Sequence, residues 1–282
     1  MKKLEIDVEG KIVSVKIPPP KHGAQSCFVF SAHKSGSTLL NRMLMALCRT
    51  ARFPTIDFPT AYFRAGARID SPENAALVRE YLEPEGYVYL GARTFWCKES
   101  GFDFSKVKKV LLLRDPRDAI ISWYFSDKLS HGIPKDHKKF SALRDELQSQ
   151  KDPNEQQEYL ESRARSMATL CSRYKELLTH DNIVIYRYED VIFRKRQWLS
   201  DMNDHMELGV SSDDVLKIAD SFDEVPTQED PTKFVRQVNP GNHMKHFSAQ
   251  TIAMLDEVLE EFLETFRYNR VDRFKPQSER DV

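Results

Sequence analysis

The stretch CFVFSAHKSGSTLLNRML, residues 27–44, constrains the fold more than any other part of the chain. The short apolar run over 26–31 is typical of a buried strand. A lysine, one glycine and three hydroxyls follow it, and apolar residues at helical spacing then predict a helix from Ser37 to about residue 49. A strand, a polar loop and a helix in this order favour a parallel sheet covered by helices.

Later segments repeat the alternation of strand and helix. Further strands are predicted at YVYLGA (87–92), KKVLLLR (108–114) and NIVIYRY (182–188). Asp115 as N-cap and Pro116 at the first helical position begin a helix in RDPRDAIISWYF. Other helices are predicted over 154–179, up to about 207, near 212–220 and, as one amphipathic helix, over 248–266.

These elements predict an α/β fold with a doubly wound, mostly parallel sheet flanked by helices. The chain is expected to form a single domain over 1–282, in which residues 1–22 add an N-terminal β-hairpin. Residues 50–86 are predicted to be loops with a short helix. Residues 221–247 lack periodicity and are predicted to be a binding loop.

Composition limits the classes of partner and compartment. With 42 basic and 43 acidic side chains, the net charge is −1, so we expect no nucleic-acid partner. The four cysteines are scattered, without metal-ligand spacing, which favours free thiols in a reducing compartment. No apolar run approaches membrane-span length. We therefore expect a soluble, cytoplasmic protein with no membrane association.

The polar loop SAHKSGST has the chemistry of an anion site. Backbone N–H groups at a helix start are unpaired, and the helix dipole favours an anion there. Lys34 adds a positive charge, and Ser35, Ser37 and Thr38 add hydroxyls around Gly36. The alternative is a plainly capped helix with an exposed lysine. A Walker loop, GxxxxGK[ST], is excluded because this lysine precedes the only glycine.

This order of residues resembles the 5′-phosphosulfate loop of sulfotransferases, and other motifs extend the resemblance. RDPRDAIIS, with Arg114 and Ser122 eight residues apart, resembles R-[ND]-P-[KR]-D-x-x-x-S of that family. YRYEDV (186–191) and DSFDEV (220–225) resemble its Y-E-D and S-F segments. KFVRQVNPGNHMKHFS (233–248) resembles its C-terminal K-F-x-R-K-G-x-x-G motif. The resemblance spans about residues 26–250 in the family's order.

The resemblance implies a P-loop-like fold that binds 3′-phosphoadenosine 5′-phosphosulfate (PAPS) and releases adenosine 3′,5′-bisphosphate, without a metal. The sulfuryl group would pass to a hydroxyl or amine of a small-molecule or glycan acceptor. Lys34 would stabilise charge on the leaving oxygen. The implied positions are Lys34, Ser35, Gly36, Ser37 and Thr38 for the 5′-phosphosulfate, Arg114, Ser122 and Arg236 for the 3′-phosphate, and Tyr188 and Phe222 for adenine.

One departure from the family leaves the general base open. Where cytosolic members have a catalytic histidine, the best local match, ARTFW, has Phe95. His33, beside Lys34, is the first candidate, because an imidazole suits general-base work at neutral pH. Glu99 and His131 are the other candidates. An ATP-dependent P-loop kinase and a non-catalytic nucleotide-binding relative remain as alternatives, and the sequence leaves the acceptor and the oligomeric state open.

Overall fold

The computed structural model describes residues 2–8, 10–67, 69–130, 138–149, 152–223 and 238–268. Its strands are β1 (Lys2–Val8), β2 (Lys11–Ile17), β3 (Cys27–Ser31), β4 (Thr55–Ile56), β5 (Val88–Ala92), β6 (Lys108–Leu113) and β7 (Ile183–Arg187). Its α-helices are α1 (Ser37–Thr50), α2 (Phe58–Arg64), α3 (Pro72–Val78), α4 (Pro116–Phe125), α5 (Lys138–Ser149), α6 (Gln157–Leu177), α7 (Tyr188–Val191), α8 (Lys195–His205), α9 (Ser212–Ser221), α10 (His243–His246), α11 (Ala249–Val258) and α12 (Glu260–Thr265).

The chain divides into two compact units. The first comprises Met1–Leu113 and Arg173–Glu224, and the second comprises Arg114–Ser172 and Val225–Val282. The first unit contains a five-stranded sheet in the order β4-β5-β3-β6-β7, in which every neighbouring pair is parallel. The predicted α/β fold with a parallel sheet flanked by helices is therefore confirmed. The single domain over residues 1–282 stays a prediction.

The two faces of the sheet are packed by different kinds of side chain. On one face Val29 and Leu112 join a core with Leu44 of α1 and with residues of α8 and α9. On the other face the ring of Phe28 stacks on Tyr89 at 4.3 Å between ring centroids. Aliphatic and aromatic residues alternate along β3 because successive side chains of a strand point to opposite faces. Both faces are covered, which explains why β3 and β6 are buried along their whole length.

The N-terminal strands β1 and β2 form the predicted hairpin, with an antiparallel register from Lys2↔Ile17 to Val8↔Lys11. Gly10 adopts φ 78° at the turn, and its N–H donates to Asp7 Oδ1 at 2.8 Å. A positive φ at this position explains the glycine, since residues with a Cβ are strained there.

In the second unit, buried ion pairs fix the start of α4. Asp115 caps α4, as predicted, by accepting the N–H of Arg117. The buried Arg117 guanidinium also donates to both oxygens of Asp115, at 2.9 and 2.6 Å, and to Asp256 of α11 at 3.0 Å. Such planar, two-point pairing of arginine with a carboxylate fixes orientation as well as adding energy.

Three predictions about local structure are corrected. The single helix predicted over 248–266 is two helices, α11 and α12, which meet at Leu259 with φ −99° and ψ 5°. Leu255, Leu259 and Leu263 are buried on both sides of this bend, so the apolar period continues through it and does not reveal it. Residues 50–86 contain the short strand β4 and two helices. The predicted loop 221–247 contains the whole of α10, and its part over 224–237 lies outside the described residues.

None of the helices in the described ranges combines the length and the apolar character that crossing a membrane requires.

Candidate active site

The loop between β3 and α1 has the backbone geometry of an anion-binding loop. Lys34 adopts φ 61°, a left-handed conformation that is rare for a residue with a side chain, and Gly36 adopts φ 91°. Gly36 is the N-cap of α1, and no side chain caps the helix. The first-turn N–H groups are thus left for a ligand, which favours a phosphate loop over a plainly capped helix. Strain of this kind is concentrated at functional sites.

The hydroxyls of this loop differ in their availability. Ser35 is buried, and its hydroxyl donates to the carbonyl of Ala32 at 2.7 Å. Its N–H donates to the same carbonyl at 3.3 Å. The Ser35 hydroxyl therefore shapes the loop here and does not provide the free donor that the sequence suggested. Ser37 is buried and Thr38 half-buried at the start of α1.

Tyr188 packs directly against the phosphate loop. A Cβ added to Gly36 would lie 3.2 Å from two carbon atoms of the Tyr188 ring. The ring of Phe222, at the end of α9, lies 5.3 Å from the guanidinium carbon of Arg42, which is on α1 one turn beyond Thr38. Both predicted adenine residues therefore lie on elements that pack next to the start of α1, in the first unit.

In the second unit, Arg114 immediately follows β6 and is buried against the carboxylate of Asp118. Its Nη2 lies 3.6 Å from Asp118 Oδ2, a distance for an ion pair but long for a hydrogen bond. The arginine side chain is 6% exposed and the aspartate is not exposed at all. The buried carboxylate keeps the guanidinium in place by charge attraction, and a planar guanidinium suits a residue that has to recognise a phosphate.

Asp118 also accepts three hydrogen bonds from the segment that follows residue 237. Its Oδ1 accepts from the N–H of His243 at 2.8 Å and from Nδ1–H of the same residue at 2.7 Å. Its Oδ2 accepts from the N–H of Gly241 at 2.7 Å. Burial alone would raise the pKa of Asp118, but the hydrogen bonds from His243 and the charge of Arg114 outweigh it, and the pKa is lowered to about 2. The carboxylate is therefore ionised at neutral pH.

Ser122 lies on the same face of α4 as Asp118, one turn further along the helix. Phe125, three residues beyond Ser122, meets the ring of His246 edge to face at 5.0 Å between ring centroids. On α4, the half-buried Ser122 thus lies between Asp118 and Phe125, which both contact the segment Gly241–His246. The motif that contains Arg114 and Ser122 and the end of the C-terminal motif therefore meet within the second unit.

The structure describes only part of the predicted set of catalytic and binding residues. Arg236 and His131 lie outside the described residues, as does the side chain of Glu99. His33 lies in the loop after β3, beside Lys34. Phe95 is 3% exposed and packs edge to face on Phe30 and Phe104, so it belongs to the core.

Sequence reasoning missed Asp118 and His243. Local chemistry alone accounts for Asp118 as an acid in the first turn of a helix, where a negative charge is favourable. Its position four residues after Arg114, in a segment with its own capping aspartate, was the available signal. His243 carried no signal of its own, because its partner lies 125 residues away in the chain.

The parallel sheet and the uncapped start of α1 define an α/β protein with a P-loop-like fold. A family model described as a sulfotransferase domain matches residues 94–267, which is more than half of the chain. The chain belongs to the sulfotransferase family, and this confirms the prediction made from the motifs. No curated protein sequence matches the chain significantly.

The first of two similar solved structures agrees with this assignment at the level of the fold. Mouse sulfotransferase SULT7A1 complexed with PAP is similar at 14% identity, over 84% of each chain, with a TM-score of 0.55. Retinol dehydratase complexed with retinol and PAP is 16% identical, over 98% of this chain and 92% of its own, with a TM-score of 0.49.

Proposed function

We propose that the protein transfers a sulfuryl group from PAPS to a hydroxyl or amine of a small-molecule or glycan acceptor and releases adenosine 3′,5′-bisphosphate. The observation that carries this proposal is the phosphate loop, where α1 begins without a side-chain cap behind the left-handed Lys34 and Gly36. Membership of the sulfotransferase family supports it. The PAP named in the solved structure of mouse sulfotransferase SULT7A1 also supports it.

Each of the two units offers side chains that suit a phosphate group. The donors at the 5′ end would be Lys34, the first-turn N–H groups of α1 and the hydroxyls of Ser37 and Thr38. A Cβ at Gly36 would lie 3.2 Å from the Tyr188 ring, a tight contact, so this ring packs closely on the loop backbone. Arg114 and Ser122, with Arg236, would hold the 3′-phosphate, and Tyr188 and Phe222 would contact adenine.

The chain's own residues would act mainly by positioning and by charge. PAPS supplies the sulfuryl group when it is bound. Lys34 and the helix dipole of α1 would stabilise negative charge as it develops on the leaving oxygen, where a fixed donor is most effective. Arg114 would bind a group that takes no part in bond breaking, so its contribution would be equal in the ground and transition states.

Titration of the purified protein with adenosine 3′,5′-bisphosphate, and separately with ATP plus magnesium, tests this function against a kinase. We expect the bisphosphate to bind more tightly. Asp115, the carboxylate that directly follows Arg114 after β6, is committed to Arg117 and to the cap of α4, so it is poorly suited to hold the magnesium ion of a kinase. Tighter binding of the ATP complex would contradict the proposal.

Phe95 in the core favours one second candidate, a relative that binds the nucleotide without catalysis. Transfer of label from radiolabelled PAPS to any member of a broad panel of phenols, alcohols, amines and oligosaccharides would decide against it. Nucleotide binding without transfer would favour it. We further propose a cytoplasmic location, because all four cysteines are free and buried, as expected in a reducing compartment.

A further inference from the structure

A sulfotransferase without a histidine at the Phe95 position needs another group to take the proton of its acceptor. His33 lies on the same loop as Lys34, and this loop would face the leaving phosphate. In an in-line displacement the attacking and leaving oxygens lie on opposite sides of the transferred group. A base that serves the attacking oxygen is therefore better placed on a neighbouring strand than on this loop.

Asp57 occupies such a position at the carboxyl edge of the sheet. It directly follows β4, whose Ile56 pairs with Tyr89 of β5, while Phe30 of β3 pairs with Ala92 of β5. Tyr89 also pairs with Phe28 of β3, so β4 ends level with Phe28 on the other side of β5, three residues before the end of β3. With neighbouring strands about 4.8 Å apart, Asp57 lies about 10 Å across the sheet from β3. Ligands of parallel α/β sheets bind at this edge.

The backbone of β5 is shaped around the Asp57 carboxylate. A Cβ added to Gly91 would lie 2.1 Å from Asp57 Oδ1 and 2.9 Å from Oδ2, so only glycine leaves room for both oxygens. Gly91 adopts φ 81°, and the pairing of β3 with β5 shifts register here, which is a bulge with glycine in the left-handed conformation. Bulges of this kind are frequent beside active sites, where they redirect a side chain.

Packing holds Asp57 firmly in this place. The next residue, Phe58, is buried, and its ring lies 6.4 Å from that of Tyr89 on β5 and 6.2 Å from that of Trp96. Asp57 Oδ1 accepts the N–H of Thr60 at 2.8 Å and so caps α2. No described residue donates a hydrogen bond to Oδ2. One oxygen is therefore fixed by the fold, and the other can accept from a bound ligand.

A basic side chain accompanies this carboxylate. Arg93 follows β5 at the same edge of the sheet. Partial burial lowers the pKa of Arg93, and the charge of Asp57 acts in the opposite direction, so the two groups are within electrostatic reach.

We propose that Asp57 is the general base of the reaction. Its Oδ2 takes the proton from the acceptor hydroxyl as the acceptor oxygen forms its bond to sulfur. The bond from sulfur to the bridging phosphate oxygen breaks at the same time, and the electron pair goes to the phosphate. This proposal rests on the proposed function, and a capping role alone is the alternative.

The variant Asp57→Asn separates the base from the cap, because asparagine is an equally good N-cap but cannot take the proton. We expect turnover with the best alcohol acceptor of the panel to fall about 100-fold or more. Thermal unfolding and the affinity for adenosine 3′,5′-bisphosphate should stay within about twofold of wild type. The matched control is Asp103→Asn, since Asp103 also caps a short helix, through Ser105 N–H, and should leave turnover unchanged.

A nitrophenol that the wild-type protein sulfates gives a spectroscopic test that needs no turnover. In the complex with adenosine 3′,5′-bisphosphate, a carboxylate next to the phenol oxygen disfavours the phenolate, so the pKa of the bound nitrophenol should be lower in Asp57→Asn than in wild type. An unchanged pKa of the bound nitrophenol would overturn the proposal. So would wild-type turnover in Asp57→Asn. If the wild-type protein transfers sulfate to no acceptor, the proposed function fails, and the assignment of Asp57 fails with it.

Discussion

Replacing Asp118 with asparagine should weaken the fold and the proposed 3′-phosphate site together. The carboxylate accepts from His243 and Gly241 and faces Arg114, all in a buried setting. Asparagine has a single acceptor oxygen, and its NH₂ group would face donors in place of the second. The change also leaves the Arg114 charge buried without its counter-ion.

The magnitude follows from the pKa of Asp118, which falls from its ordinary value of 3.8 to about 2 in the fold. Each pKa unit corresponds to about 1.4 kcal/mol, so the ionised carboxylate contributes about 2 kcal/mol to the free energy of unfolding. Because the folded-state pKa is depressed, this contribution is fully present well above pH 3.8 and is lost as the pH falls towards 2. We expect about half of it to be lost by pH 3.

Urea denaturation of wild type and Asp118→Asn between pH 7 and pH 3 measures this contribution. The variant should be less stable by about 2–4 kcal/mol at pH 7, and the difference should shrink by about 1 kcal/mol at pH 3. Its affinity for adenosine 3′,5′-bisphosphate should fall about tenfold, since Arg114 is no longer held in orientation.

Asp127→Asn is the matched control for Asp118→Asn. Asp127 is also a buried carboxylate of the second unit, and it accepts from the hydroxyl of Tyr159 and from Arg163, both at 2.8 Å. This control should lose stability but keep its affinity for the bisphosphate. A stability difference for Asp118→Asn that is the same at pH 7 and pH 3, or equal affinity losses in both variants, would refute the reasoning.

Three further predictions concern the nucleotide. Lys34→Ala should lower turnover about 100-fold or more while weakening bisphosphate binding much less, and unchanged turnover would remove Lys34 from the mechanism. Arg114→Ala should raise the Michaelis constant for PAPS about ten- to a hundredfold. It should also abolish the preference for adenosine 3′,5′-bisphosphate over adenosine 5′-monophosphate. If the variant keeps this preference, the proposed role of Arg114 is contradicted. Gly36→Ala should weaken both bisphosphate binding and stability, because a residue with a methyl side chain is strained at φ 91° and the methyl would approach the Tyr188 ring. The control is Gly209→Ala, at φ 69° with open space around the new methyl, which should lower stability alone.

The sequence predicted those parts of the fold that local chemistry determines. The apolar run ending at Ser31, the loop around Lys34 and the amphipathic helix from Ser37 were all placed to within a residue or two. The N-cap at Asp115 was also correct, because an aspartate before a proline acts within one turn of the chain. Such features are determined by residues that are neighbours in the sequence, so they can be predicted from one sequence alone.

The rest depends on partners that are distant in the chain. Asp118 acquires its role from Gly241 and His243, more than 120 residues away. The importance of Asp57 depends on Gly91, which meets it only because β4 and β5 pair. The capping of α2 by Asp57 is a local interaction, because the carboxylate accepts the N–H of Thr60 three residues further along the chain. No local pattern, however, could show that a bulge on another strand makes room for its carboxylate.

The left-handed backbone at Lys34 places stability and activity in opposition at one position. At φ 61° a side chain costs about 1–2 kcal/mol, and glycine would relieve that strain. A directed-evolution campaign that selects only for heat resistance should therefore enrich glycine at position 34. The most stable variants selected in this way would lack the positive charge of Lys34, which is proposed to stabilise the leaving group. Position 34 should therefore be kept as lysine in any library of this protein that is selected for thermostability.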